Sequence, residues 1–77
     1  DLNAAEWAII ALTIGSVITA EMMNTAIEML VNMVSPEYNQ EAGRVKDIAA
    51  GGVLLAAIIA TVVAVYIFGN KIFDWLV

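Results

Sequence analysis

The sequence predicts an all-α membrane protein built as a transmembrane helical hairpin. Two observations carry this reading. Of 77 residues, 62% are hydrophobic and only 14% charged, with a mean hydropathy of +0.89. A soluble domain this short buries a modest share of its surface and has nowhere to put so much apolar area. The apolar residues also fall in two long stretches, Trp7 to Val34 and Ile48 to Gly69, separated by a short polar centre. The composition excludes several classes outright. There is no cysteine and no histidine, which removes a disulfide scaffold and a Cys/His zinc site. A net charge of -5 with three basic residues argues against nucleic acid, whose phosphates demand Lys and Arg.

The first helix is expected over about residues 5–34. No basic segment precedes its apolar stretch, which sets it apart from a secretory leader. Ser35-Pro36 then reads as a break and restart, because Ser accepts from free helix amides and Pro suits a first turn. The linker, about residues 35–46, holds Glu37, Glu41, Arg44 and Lys46 and so belongs in water. The second helix is expected over about 47–69, followed by a tail at 70–77. From Ile48 to Gly69 there are 22 residues without a charge. As a helix they reach about 33 Å, enough to cross the hydrocarbon core. Two of the three basic residues lie in the linker, so the positive-inside tendency puts it in the cytoplasm and both termini outside. Trp7, Tyr66, Phe68, Phe73 and Trp75 cluster toward the opposite ends, as an interfacial aromatic belt does. Gly52, Ala56, Ala60 and Ala64 recur every four residues, and small residues at that spacing let another helix approach closely. Alanine is also simply common in such helices.

One stripe of the first helix is polar. At about 100° per residue, Glu21, Asn24, Thr25, Glu28 and Asn32 fall within an arc of about 100°. Met22, Met23, Ala26, Ile27, Met29, Leu30 and Val31 occupy the rest of the circumference. A charge at the bilayer centre costs roughly 3 kcal/mol on insertion scales, so two carboxylates need a partner, a cation, a proton or water. The bland alternative is a pair of neutral glutamates bonded across helices as glue.

Lys46 and Asp47 open the second span on the side where Glu28 and Asn32 end, and a hairpin brings Lys46 toward the level of Glu28. One cation beside several acceptors can hold a phosphate, and carboxylates can hold Mg²⁺ through its waters. A snorkelling lysine and a capping aspartate are the commonplace reading of the same pair. Neither G-x-x-x-x-G-K-[ST] nor G-x-G-x-x-G occurs, and without histidine no Ser-His-Asp hydrolase is built within the chain.

Taken together, Glu21-Met22-Met23-Asn24-Thr25-Ala26-Ile27-Glu28, Ser35-Pro36-Glu37-Tyr38 and Lys46-Asp47-Ile48-Ala49-Ala50 resemble the small bacterial diacylglycerol kinase family, which includes the undecaprenol kinases. E-x-x-N-[ST]-A-I-E, followed about seventeen residues later by K-D, is far more specific than either half. The resemblance runs from Glu6-Trp7 to the end of the second span, and Glu6-Trp7 is closer to the undecaprenol kinase branch. It implies a homotrimeric helical bundle in the bacterial inner membrane, active site toward the cytoplasm, transferring the γ-phosphoryl of Mg-ATP to a lipid primary alcohol. By the same resemblance Glu21 is the general base at the lipid hydroxyl, Asn24 supports the site, and Glu28 binds the metal on ATP. Glu37, Tyr38, Asn39, Lys46 and Asp47 are implied nucleotide contacts, and Ala50 lies near the lipid. The sequence departs from the family at Asn39, often histidine there, and at Asn32, often aspartate. The resemblance further implies an upstream amphipathic surface helix and another transmembrane helix with a second metal-binding glutamate. The sequence starts at Asp1, where that helix would end, and so reads as a fragment of such an enzyme.

The acceptor is expected to be undecaprenol, with diacylglycerol the alternative. From other classes come an inactive structural oligomer and an ion-translocating proteolipid, also a two-helix hairpin with an intramembrane carboxylate. The proteolipid reading fits poorly, because both glutamates sit in the first helix and the linker lacks an Arg-Gln-Pro turn. ATP-dependent lipid phosphorylation separates the kinase from both rivals.

Overall fold

The computed structural model describes residues 1–77 as two helices, α1 (Ala4–Val34) and α2 (Gln40–Leu76). They fold back on each other as an antiparallel pair, a rod with extents of 58 × 19 × 11 Å. Both are long and apolar enough to cross a membrane, and neither has its apolar window buried inside the molecule.

α1 starts where a capping box forms. The Glu6 amide donates to the Asn3 side chain at 2.8 Å, and the Asn3 amide donates to the Glu6 carboxylate at 3.0 Å. It stops at Ser35, whose amide donates to the Val31 carbonyl at 2.7 Å before Pro36 prevents continuation. α2 restarts at Asn39, in extended conformation, with its side-chain oxygen accepting from the Ala42 amide at 2.8 Å.

Two expectations are corrected here. The linker is Ser35–Asn39, not about 35–46, and the restart comes at Asn39 rather than at Ser35-Pro36. Lys46 and Asp47 therefore lie inside α2, and Asp47 caps nothing. At the other end, the expected tail at 70–77 is helical through Leu76. The physical reason is the same twice. Charge marks where a chain leaves lipid, but a helix continues into water until a cap or a breaker ends it.

The face each helix turns to the other shows how they pack. On α1 the shielded positions are Glu6, Ile10, Thr13, Val17, Ala20, Asn24, Ile27 and Val31; on α2 they are Lys46, Ala49, Val53, Ala56, Ala57, Ala60, Val63, Ile67 and Lys71, with Ala42 and Gly43 at the linker end. The α1 set alternates fours and threes, and the α2 set does so from Lys46 to Ile67 with Ala57 added beside Ala56, the spacing of a left-handed coiled-coil seam. Of the small-residue stripe, Ala56 and Ala60 lie in this seam, whereas Gly52 and Ala64 are exposed. A four-residue repeat drifts about 40° per step around a helix, so it cannot follow a straight seam.

Polar pairs pin the two ends. Lys71 Nζ meets Glu6 Oε1 at 3.1 Å, and Lys46 Nζ donates to Asn32 Oδ1 at 2.6 Å. These set a register in which Glu28 is level with Ala49 and Ala50, and Glu21 with Ala56 and Ala57. Between the pins the seam is thin. Ile67, at 5% exposure, is the one buried residue, and Leu12, Met22, Leu30, Ile48, Leu54 and Val65 all face outward. In water that surface is untenable; lipid or further helices supply its surroundings.

Glu6 belongs to both the capping box and the ion pair. Glu6→Ala is expected to destabilise the hairpin more than Lys71→Ala, because it removes the carboxylate's half of the capping box together with the ion pair, whereas Lys71→Ala removes the pair alone. Unfolding of both variants in detergent measures this; equal losses would remove the capping box from the account.

Candidate functional site

The polar stripe of α1 does not point into the seam. Asn24 is the exception, half-buried against α2, with its Oδ1 enclosed and without a hydrogen-bond partner. Glu21, Thr25, Glu28 and Asn32 are exposed. By helical rotation they lie about 40–100° around α1 from Asn24, on one flank of the hairpin. Glu21 sits in a shallow depression with Ile18, Met22, Thr25, Ala26 and Met29. Neither Glu21 nor Glu28 takes part in an ion pair within the chain, since the two pairs present are Arg44–Glu41 and Lys71–Glu6. Glu28 lies seven residues nearer the linker than Glu21, about 10 Å along the axis. The flank thus has a deep carboxylate and a shallow one, with Asn24 turned inward between them.

At the linker end, the register brings Lys46 to the level of Asn32, one turn short of Glu28, and Asn32 holds it. This partner is not evident from sequence, where Glu28 and Asn32 are equally plausible ends of the stripe. The signal that finds it is the short linker, which moves every residue of α2 closer to the turn. Asp47 follows on an exposed face of α2. Ala50, also exposed, is level with Glu28 rather than with Glu21.

The linker is tied to itself. The Ser35 hydroxyl donates to the Glu37 carbonyl at 3.2 Å and accepts from Asn39 Nδ2 at 2.5 Å. Both polar atoms of Asn39 are therefore engaged, one in this tie and one in the α2 cap. The Glu37 side chain is exposed. Tyr38, 85% exposed, lies over Gly43: a Cβ at that position would meet Tyr38 Cε1 at 3.1 Å and its hydroxyl oxygen at 3.2 Å. The missing side chain lets the ring settle against the first turn of α2.

No group of three or more acidic side chains is gathered closely enough to hold a metal ion by itself. Mg²⁺ does not require one. It dehydrates reluctantly and is commonly held by one or two carboxylates with phosphate oxygens and waters. Glu28, unpaired and at the linker end of the flank, fits one such share.

The family model for prokaryotic diacylglycerol kinase matches residues 1–68 of this chain. Undecaprenol kinase of Bacillus subtilis is 38% identical over 72 residues, covering 94% of this chain and 58% of that protein. Diacylglycerol kinase of Synechocystis is 46% identical over 63 residues, covering 80% of this chain and 36% of that protein. Diacylglycerol kinase of Escherichia coli is 32% identical over 62 residues, covering 80% and 51%. The chain spans about half the length of these curated relatives. No solved structure matches it.

The Tyr38–Gly43 contact carries a two-signed expectation. Gly43→Ala should stabilise α2 by about 0.5–1 kcal/mol through helix propensity, while displacing the Tyr38 ring. Thermal unfolding and the NMR shifts of the Tyr38 ring check both parts. An unmoved ring would mean the contact does not persist in solution.

Proposed function

The chain belongs to the prokaryotic diacylglycerol kinase family, a family of membrane proteins, and from that membership we propose that it is the catalytic hairpin of a lipid kinase. The reaction is transfer of the γ-phosphoryl of Mg-ATP to a lipid primary alcohol, with undecaprenol the acceptor. The observation that carries the reading is the exposed flank of α1, where Glu21 and Glu28 stand at different depths with Lys46 at its linker end.

The chemistry follows from depth. A lipid alcohol presents its hydroxyl from within the membrane, and a nucleotide arrives from water at the linker. Glu21, the deeper carboxylate, takes the proton from the hydroxyl. The oxygen forms its bond to the γ-phosphorus as the bond between that phosphorus and the β–γ bridging oxygen breaks, and ADP leaves with the displaced charge. Phosphoryl transfer asks for positioning and charge neutralisation more than for covalent help, so a base, a metal-holding carboxylate and a lysine are a sufficient set. Glu28 would hold Mg²⁺, which when bound neutralises phosphate charge. Lys46 faces the phosphates, Asp47, Glu37, Tyr38 and Asn39 border the nucleotide, Asn24 supports the site between the two carboxylates, and Ala50 lines the lipid side. Asn39 contributes through its backbone, since its side chain is engaged in the cap and the linker tie.

The flank is open on its outer side, and a homotrimer in the bacterial inner membrane, linker toward the cytoplasm, would close it with a neighbour's helix. The acceptor follows from kinship. The Bacillus undecaprenol kinase aligns over 94% of this chain, against 80% for the diacylglycerol kinases. Diacylglycerol is the second reading, favoured by the 46% identity to the Synechocystis enzyme.

The test is phosphate transfer from radiolabelled ATP in mixed micelles, with undecaprenol and diacylglycerol supplied separately. Glu21→Gln is expected to lower turnover by at least about a hundredfold with ATP binding nearly intact. Normal turnover in that variant would sink its role as base. Glu28→Gln should raise the Mg²⁺ concentration needed for half-maximal rate, and an unchanged Mg²⁺ dependence would take Glu28 out of the metal site.

A further inference from the structure

The two helices carry hydroxyl side chains at Thr13, Ser16, Thr19 and Thr25 on α1 and at Thr61 on α2. Three of them are settled by their own helix. Thr13 donates to the Ile9 carbonyl at 2.7 Å, Ser16 to that of Leu12 at 2.8 Å, and Thr61 to that of Ala57 at 2.9 Å. A bond to the carbonyl four residues back is the local way for a helical hydroxyl to avoid standing unpaired among apolar groups. Thr25 forgoes it. The residue is exposed, and its hydroxyl makes no hydrogen bond within the chain, although the Glu21 carbonyl stands four residues back.

The place of this free hydroxyl says what it can meet. Thr25 shares a shallow depression with Glu21. It lies about 6 Å along the axis from Glu21 and about 4.5 Å from Glu28, rotated about 40° and 60° from them. It therefore stands between the deep carboxylate, assigned to the lipid hydroxyl, and the shallow one, assigned to the metal on ATP. Thr19 leaves its hydroxyl free as well, but on the far side of α1, about 160–180° from both carboxylates, among Ala11, Leu12, Gly15, Ser16 and Ala20.

We propose that Thr25 is a further catalytic residue: its hydroxyl donates a hydrogen bond to an oxygen of the γ-phosphoryl group as that group passes from ATP to the lipid alcohol. The inference rests on the kinase reading and deepens it at the same site. A phosphoryl group in transfer spreads its charge over three equatorial oxygens, and the carboxylates of Glu21 and Glu28 can donate to none of them. The Thr25 hydroxyl is a neutral donor between those two acceptors. It keeps its proton throughout, while the proton of the alcohol goes to Glu21 and the displaced charge leaves with ADP. Because it is not bound to its own helix, no bond has to break before it turns to the phosphoryl oxygen.

The test uses the full-length protein in mixed micelles, with phosphate transfer by the wild type established first. Thr25→Val keeps the shape and deletes the donor. It is expected to lower kcat roughly ten- to a hundredfold, with the KM values for Mg-ATP and for the lipid changed less than about twofold. Thr25→Ser, which keeps a hydroxyl, should return kcat to within about threefold of the wild type, and Thr19→Val should match the wild type. In a Glu21→Gln background the Thr25→Val loss should persist, since the donor serves the phosphoryl group and not the base. Thermal unfolding separates lost chemistry from lost fold, and Thr25→Ala repeats the deletion where Thr25→Val is destabilised. A wild-type kcat in Thr25→Val overturns the proposal, as does a Thr25→Ser protein as slow as Thr25→Val or an equal fall in Thr19→Val. Disappearance of the loss in the Glu21→Gln background also overturns it, by assigning the hydroxyl to the base. Each of these leaves the kinase reading standing, whereas no transfer by the wild type removes that reading and the proposal together.

Discussion

Everything in this molecule turns on two carboxylates that its own fold leaves uncovered. Glu21 and Glu28 stand on a helix otherwise rich in Met, Ile, Leu and Ala, exposed on a flank beside the helix–helix seam. Glu21 is the deeper of the two, and a charge at the membrane centre costs about 3 kcal/mol. That is several times what an interhelical hydrogen bond returns there, about 0.6 kcal/mol on average. The hairpin gathers no compensation from within, because the groups that could pair with them are used elsewhere. Arg44 is bound to Glu41, Lys71 to Glu6, and Lys46 to Asn32. Compensation must come from outside the pair of helices. This is the physical content of calling the flank a site: its stability and its chemistry need the same visitors.

The seam explains why the flank exists. A coiled-coil pair uses two positions in seven, and α1 gives those to Ile10, Val17, Ala20, Ile27 and Val31, with Thr13 and Asn24 among them. The carboxylates fall just outside this set, near enough for Asn24 to stand between them and the neighbouring helix. Its Oδ1 is enclosed without a partner, an arrangement that costs free energy and earns nothing for the hairpin alone. Local frustration of this kind is what a packed pair of helices retains when a residue is kept for a reason other than packing.

The hairpin and its stripe were legible in the sequence because both rest on strong signals. Long uncharged runs mark the spans, and E-x-x-N-[ST]-A-I-E sets its polar residues at helical spacing. The ends of the helices were not legible in the same way. Charges at Glu41, Arg44, Lys46 and Asp47 suggested a long linker, yet Asn39 caps α2 so that it begins at Gln40, seven residues before the expected start at about 47. That shift has consequences at the site. It turns Lys46 from a residue at the mouth of a helix into one fixed within it, and assigns it to Asn32. The inward turn of Asn24 was also hidden, since a helical arc drawn from one helix has no way to tell where its neighbour will lie. Register needed both ends of the hairpin, and the pair at the far end, Glu6 with Lys71, is a contact of two isolated charges with no motif around them.

A site on the flank differs from one in the seam in what it can recognise. Carboxylates between the two helices would be shut away from a lipid alcohol and from a nucleotide alike. On the flank, the proposed lipid substrate would reach Glu21 laterally and the proposed nucleotide would reach Glu28 and Lys46 from the linker, so the two need not share an entrance. The same openness makes the site composite. For the proposed phosphoryl transfer, a second wall would be needed to exclude water and to strengthen the charges around the reacting group. In the proposed kinase, α1 and α2 would contribute the base, a metal-holding carboxylate and the anchored cation, and leave the enclosure to whatever packs on the stripe. Under the proposed reaction the groups that handle the hydroxyl suit any primary alcohol, so discrimination between a prenyl and an acyl chain would belong to the apolar wall facing Glu21, to which this flank brings Ile18, Met22 and Met29.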